Sequence, residues 1–151
     1  MSISFDLDGD SPLHWAAFAG YLKIVKLLIQ YEIDINHKNN NGQTALYYAV
    51  FNKHHEIVDI LLDHEIKISD APKIREKLLH EACSISHERL ANLLIQSGCS
   101  IHSKRQDGGT LLHSAAEGNL IELTKMLEGK GVEIARTDYF GKTPADVAFQ
   151  N

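Results

Sequence analysis

The chain repeats itself every 33 residues, and this period constrains its fold more than any other feature of the sequence. The copies share a short segment that reads Ser-Pro-Leu-His-Trp-Ala first and Thr-Leu-Leu-His-Ser-Ala in the fourth copy. Its third position is occupied in turn by Leu13, Leu46, Leu79, Leu112 and Ala145. An alanine follows three places later in every copy: Ala16, Ala49, Ala82, Ala115 and Ala148. A unit of this length is one supersecondary element, which must use its neighbours to bury its apolar face.

The sequence predicts two short helices followed by a turn in each of the first four copies. In the first copy Ser11 offers a helix N-cap, and Pro12 stands at the first helical position, where its missing N–H costs nothing. Gly20 can end this helix in a left-handed conformation. Turn residues with a glycine predict hairpins near residues 39–42, 105–109 and 138–141. The fifth copy has one helix and then stops.

With its 33-residue period and its T-P-L-H-x-A core, the chain resembles the ankyrin-repeat family over residues 6–151. The resemblance implies an all-α solenoid of stacked helix-turn-helix pairs with short β-hairpin loops, about five repeats, the last one half-formed. We expect a single domain with repeats at about 9–41, 42–74, 75–107, 108–140 and 141–151. Residues 1–5 form an N-terminal extension in this scheme.

The third repeat departs from the pattern at its hairpin. Arg75 and Lys77 stand where the second repeat has Gly42 and Thr44. Residues 69–77 contain no glycine, but Ser69 or Asp70 followed by Pro72 is typical of a helix start. We therefore predict that this helix begins a turn or more early, near Pro72, at the expense of the hairpin. A regular hairpin across residues 70–76 is the alternative.

A second departure concerns the glycine that the family has after its second helix. Gly98 and Gly131 keep it in the third and fourth repeats, whereas Glu32 and Glu65 replace it in the first two. A residue other than glycine must either accept a left-handed backbone or change the turn.

Nine histidines raise the question of a metal site. His14, His80 and His113 occupy one position of successive copies, so the repeat layers hold them apart and they do not converge on one ion. The resemblance implies that each bonds the threonine of its own motif and the neighbouring backbone. We expect neither a metal site nor a cofactor.

Catalytic motifs are also absent from the sequence. The chain has no P-loop, no G-x-S-x-G, no H-E-x-x-H and no dinucleotide fingerprint. Cys83 and Cys99 are predicted to be packed and therefore inert. We expect no catalytic residue and no enzymatic activity. The formal charge of −5 argues against a basic nucleic-acid binder, and no apolar run is long enough to span a bilayer.

The resemblance implies a protein–protein interaction module, a scaffold or adaptor that binds a partner protein through a concave surface of hairpin tips and short helices. We expect a monomer in the cytoplasm, or in the host cytoplasm or nucleus if the chain comes from a pathogen. One alternative is the targeting portion of a larger protein, such as a pathogen effector or an enzyme, whose catalytic domain lies beyond residue 151. Another is a viral or IκB-like inhibitor.

The expected binding surface is an aromatic stripe with a polar rim. Two places past the core alanine the copies carry Phe18, Phe51, Ser84 and Glu117, and Phe149 comes one place early. The resemblance implies that this position points into the groove. The candidate partner-binding residues are Trp15, Phe18, Tyr48, Phe51, Tyr139 and Phe140, with Asn40, Asn41, Gln43, Gln106 and Asp107 at the rim. In the alternative interpretation Phe18 and Phe51 pack between the short helices, with Trp15 and Tyr48 as ordinary core.

Overall fold

The computed structural model describes residues 8–68 and 71–150, and this part of the chain is helical without a strand. Its helices are α1 (Pro12–Ala19), α2 (Leu22–Gln30), α3 (Ala45–Phe51), α4 (His55–Leu62), α5 (Pro72–Ser84), α6 (Glu88–Gln96), α7 (Leu111–Glu117), α8 (Ile121–Gly129) and α9 (Pro144–Ala148). The predicted all-α class is confirmed. The loops expected to be β-hairpins are tight turns, with one isolated antiparallel bridge between Lys104 and Thr110.

The chain divides into two compact units, a first unit that ends at Ile74 and a second unit that begins at Arg75. In the first unit α1 packs against α2 and α3, and α4 packs against α2 and α3. In the second unit α7 packs against α8 and α9. Each unit therefore contains the neighbour-on-neighbour packing that a 33-residue repeat requires.

The recurring leucines and alanines form the core of each unit. Leu13 and Leu46 are buried in the first unit, and Leu79 and Leu112 are buried in the second. The alanines that follow them three places later are also buried: Ala16, Ala49, Ala82 and Ala115. A methyl side chain at this position lets the short helices approach closely, and the leucine fills the space between them. Ala145 and Ala148, in the fifth copy, are exposed.

Two of the motif histidines cap their own helix, as the family resemblance implies. The amide of Ser11 donates to Nδ1 of His14 (3.2 Å), and Nε2 of that ring lies 3.0 Å from the carbonyl oxygen of Gln43. Because Nδ1 accepts from a backbone N–H, the ring proton is on Nε2, which donates to that carbonyl. His113 repeats the arrangement with the amide of Thr110 (3.1 Å) and the carbonyl of Lys142 (2.8 Å).

His80 is the exception, and the expectation that it bonds a threonine of its own motif is wrong. Lys77 stands at the threonine position, so there is no hydroxyl to bond. The buried imidazole instead lies between two serine hydroxyls, with Nδ1 2.8 Å from Ser114 Oγ and Nε2 3.1 Å from Ser103 Oγ. Burial lowers the pKa of His80 to about 4, and the positive charge of Arg105 acts in the same direction.

The third repeat begins with a long helix, as predicted from its departure. Helix α5 starts at Pro72 and has 13 residues, so the early helix start is confirmed. Its predicted N-cap, Ser69 or Asp70, lies outside the described residues. The other three turns share one pattern, in which the first residue's amide donates to a carbonyl four places later. These bonds join Asn39 to Gln43 (2.9 Å), Arg105 to Gly109 (2.8 Å) and Asp138 to Lys142 (2.9 Å).

The turn after the second helix has different backbone conformations at the two glutamates that replace the family's glycine. Glu32 adopts a left-handed backbone with a φ of 57°, and the amide of Ile33 donates back to the carbonyl of Leu28 (3.3 Å). After Glu65 the amide of Ile66 donates to the carbonyl of His64 (2.6 Å), which makes a tighter turn. Both outcomes predicted for this position therefore occur in the first unit.

Candidate functional site

Three aromatic side chains of the first unit form a group that we call the aromatic cluster: Trp15, Phe18 and Tyr48. Trp15 is 54% exposed and Phe18 is 49% exposed, while Tyr48 is half-buried. The ring centroids of Trp15 and Phe18 lie 6.3 Å apart at an interplanar angle of 77°. Those of Phe18 and Tyr48 lie 6.0 Å apart at 85°. Both contacts are edge-to-face, an arrangement that aromatic pairs prefer.

The helix period explains why these rings meet. Trp15 and Phe18 are three residues apart on α1, so they share one face, while the buried Ala16 and Ala17 face inward. Tyr48 occupies the position of Trp15 one repeat later, on α3, which packs against α1. The cluster therefore joins the outer faces of two successive short helices.

A polar network holds Tyr48 in place. Its hydroxyl donates to Oδ2 of Asp10 (3.2 Å) and accepts from Nδ2 of Asn39 (3.1 Å). Asn39 also donates to Oδ1 of Asp10 (2.9 Å), so the three side chains close a triangle. Burial and the negative charge of Asp10 raise the pKa of Tyr48. The phenol thus remains a neutral donor in this network.

Phe51 lies apart from Phe18, although both stand at the same repeat position. Its ring stacks on Tyr47 at a centroid distance of 4.3 Å and an interplanar angle of 25°. Tyr47 in turn meets Tyr48 edge-on at 6.1 Å. Phe51 is half-buried, so it continues the aromatic surface along α3 instead of projecting from it.

The predicted polar rim of the first unit is built around Asn39, which the sequence analysis did not select. Its Oδ1 accepts from the amides of Asn41 (3.0 Å) and Gln43 (2.9 Å). Asn40 and Asn41 are exposed and Gln43 is half-buried. The signal was present in the sequence, since an Asn that opens a turn commonly bonds the amides that follow it.

The second unit carries a polar network at the positions where the first unit has rings. Ser84 donates to Oε2 of Glu117 (2.7 Å), and Nη1 of Arg105 donates to both carboxylate oxygens of Glu117 (2.8 Å each). Nη2 of Arg105 also pairs with Oδ2 of Asp107 (3.1 Å). Asp107 was expected at the rim, whereas the role of Arg105 depends on a contact between residues 12 apart and is not visible in the sequence.

Tyr139 and Phe140 project from the turn between α8 and α9 in the second unit. They are 79% and 76% exposed. The amide of Tyr139 donates to the carbonyl of Asp107 (2.8 Å), and Oδ1 of Asp138 accepts from the amide of Phe140 (2.9 Å). The ring of Tyr139 lies over Gly108, where an added Cβ would come within 2.7 Å of it. The exposed Gln106 stands in the same unit, on the turn that contains Asp107 and Gly108.

The comparison with protein families agrees with the repeat pattern. A family model described as ankyrin repeats, with three copies, matches residues 2–71 and 79–151. The chain belongs to the ankyrin-repeat family. Ankyrin repeats are generally protein–protein interaction modules and are generally not catalytic. No curated protein matches the chain.

Both cysteines of this ankyrin-repeat protein are buried. Burial raises the pKa of Cys83 to about 12 and also raises the pKa of Cys99, so both remain thiols. Across residues 8–68 and 71–150, no three His, Cys, Asp or Glu side chains are close enough to hold a metal ion. In those same ranges no helix has the length and apolar character needed to cross a membrane.

Proposed function

We propose that this ankyrin-repeat protein is a non-enzymatic scaffold or adaptor that binds a partner protein through the aromatic cluster of its first unit. The observation that carries the proposal is the exposure of Trp15 and Phe18. Both stand on the outer face of α1, where neither ring is needed for the core that Leu13 and Ala16 build. Large aromatic side chains left half-exposed beside each other are typical of interaction surfaces.

The arrangement suits the way interface energy is distributed. A few aromatic side chains usually supply most of the binding free energy, roughly 2 kcal/mol or more each, and polar residues surround them. Here the rings of the aromatic cluster supply the anchors, and Asn40, Asn41 and Gln43 supply polar side chains in the same unit. The bonds of Tyr48 with Asp10 and Asn39 fix the buried edge of the cluster before a partner arrives.

A second contact in the second unit is part of the proposal. Tyr139 and Phe140 are exposed on a turn whose amides are bonded, with Gln106 and Asp107 on the turn before it. The rings of Tyr139 and Phe140 would add to the binding energy without being its main source.

We further propose that the protein acts as a monomer in the cytoplasm.

The test is a paired measurement of stability and binding. A partner is captured from lysate with the full chain and identified by mass spectrometry, and its affinity is then measured for Phe18→Ala. We expect affinity to fall about tenfold or more while the melting temperature changes little. Tyr31→Ala removes a more exposed ring of the same unit from outside the cluster and should leave affinity unchanged. Loss of stability comparable to that of a core leucine substitution, with unchanged affinity of the folded fraction, would contradict the proposal.

A further inference from the structure

We propose that the partner presents an arginine or lysine side chain whose cation binds against Trp15 of the aromatic cluster. The inference rests on the proposed function and names the chemistry of the partner at that surface. It follows from the geometry of the rings, from the carboxylates around them and from the distribution of basic residues along the chain.

The rings offer a site for a cation. A cation is attracted to the negatively polarised face of an aromatic ring, and tryptophan is the strongest of the three ring types. The edge-to-face contact with Phe18 occupies at most one face of the Trp15 indole, and 54% of the residue is open to solvent. Phe18 and Tyr48 stand nearly perpendicular to each other, so the cluster presents both ring faces and ring edges.

Two carboxylates act on the Tyr48 ring of the cluster. Asp10 bonds the Tyr48 hydroxyl directly, at 3.2 Å. Asp8 is exposed, two residues before it, and its charge is close enough to act on the Tyr48 phenol together with that of Asp10. These negative charges add long-range attraction for a cation to the short-range attraction of the rings.

The distribution of basic residues makes the partner the source of that cation. Residues 1–74 contain six lysines and no arginine against ten aspartates and glutamates, an excess of four negative charges. All four arginines lie in the second unit. There Arg105 is already held by Glu117, which stands at the repeat position of Phe18. The first unit therefore has the aromatic cluster and an excess of negative charge, and no arginine of its own.

Trp15 is the only tryptophan of the chain, so its fluorescence reports on this site alone. The full chain is titrated with a short glycine–serine peptide that has one central arginine. It is titrated in parallel with the same peptide carrying citrulline, which keeps the shape and removes the charge. We expect the arginine peptide to bind about two- to fivefold more tightly, and we expect this preference to shrink as salt is raised.

Variants locate the effect. Asp8→Asn should reduce the preference for arginine, because it removes one carboxylate near the cluster. Trp15→Leu, followed by amide NMR shifts in place of fluorescence, should abolish it. Tyr31→Ala is the matched control, an exposed ring of the same unit outside the cluster, and should leave the preference intact.

The outcomes separate this inference from the proposed function. Equal affinity for the two peptides, or no binding of the arginine peptide, would contradict the proposal that a cation binds against Trp15. If the captured partner nevertheless depends on Phe18, the aromatic surface stands as a binding site for an apolar segment. If the arginine preference depends on Trp15 but partner affinity is indifferent to Phe18→Ala, the cation site stands and the proposed function fails.

Discussion

The first unit has aromatic rings at the repeat positions where the second unit forms a polar network. Two places past the core alanine the first unit has Phe18 and Phe51, whereas the second has Ser84 and Glu117. The first pair contributes to an aromatic surface, and the second pair joins with Arg105 in a closed polar network. The backbone is helical at all four positions.

The difference shows which positions of the repeat the fold requires. In the first four copies the leucine and alanine positions are alike in both units and are buried in both, because packing between repeats depends on them. The position two places past the alanine is not fully buried in either unit, so it can carry rings in one unit and polar side chains in the other. Three predictions test this division, beginning with the largest effect.

The core should respond alike in the two units. Leu46→Ala in the first unit and Leu79→Ala in the second should each lower the free energy of unfolding by roughly 2–5 kcal/mol, as for other buried leucines. Both side chains are almost fully buried, so the lost contacts and the remaining cavity are comparable. Chemical denaturation of the full chain measures both. A cost below about 1 kcal/mol for one of them would show that the cores are not equivalent.

Acid should weaken the second unit through the buried His80, which lies between two serine hydroxyls. The pKa of His80 is about 4 in the folded chain and 6.5 for an ordinary histidine, so between these values the unfolded chain binds the extra proton. Stability is therefore full above about pH 6.5 and falls as pH drops toward 4, by roughly 2–3 kcal/mol.

The measurement is denaturation of the full chain across this pH range. His80→Gln keeps a hydrogen-bonding side chain between Ser103 and Ser114 without a group that titrates there, so it should flatten the dependence. An unchanged slope in His80→Gln would assign the acid sensitivity to other groups.

The surface position should respond differently in the two units. Glu117→Ala removes the two-oxygen pairing with Arg105 and the acceptor of Ser84, and should cost about 1–2 kcal/mol, between typical surface and buried ion pairs. Phe18→Ala at the equivalent position should cost about 0.5 kcal/mol or less, since much of that ring is exposed. The cost of the first change should also decline in high salt. Equal costs would remove the contrast between the units.

Much of the fold could be predicted from the sequence because the same residue types recur at the same positions of successive repeats. The 33-residue period predicted the helix pairs. The absence of glycine in residues 69–77 and the helix-start residues there predicted the early start of α5 at Pro72. The histidine caps could be predicted where the motif has both the histidine and a serine or threonine hydroxyl, at Ser11 and Thr110. His80 could not be predicted in the same way, because its partners come from other segments and are visible only once the chain is folded.

The candidate site was less accessible to sequence analysis. The exposure of Trp15 and Phe18 follows from a helical face, which is a local property. The bonds of Asp10 with Tyr48, and of Arg105 with Glu117, join residues 38 and 12 positions apart. Such pairs depend on the spatial register between neighbouring repeats, and the identity of single residues does not reveal that register.

The turn that carries Tyr139 and Phe140 has a consequence for the thermodynamics of association. Its side chains are among the most exposed of the second unit, yet its amides are bonded to Asp107 and Asp138. Hydrogen exchange should therefore be slow at the backbone of a loop whose rings stand in water. A partner that meets these rings finds a backbone already in one conformation, so little main-chain entropy is lost when the complex forms.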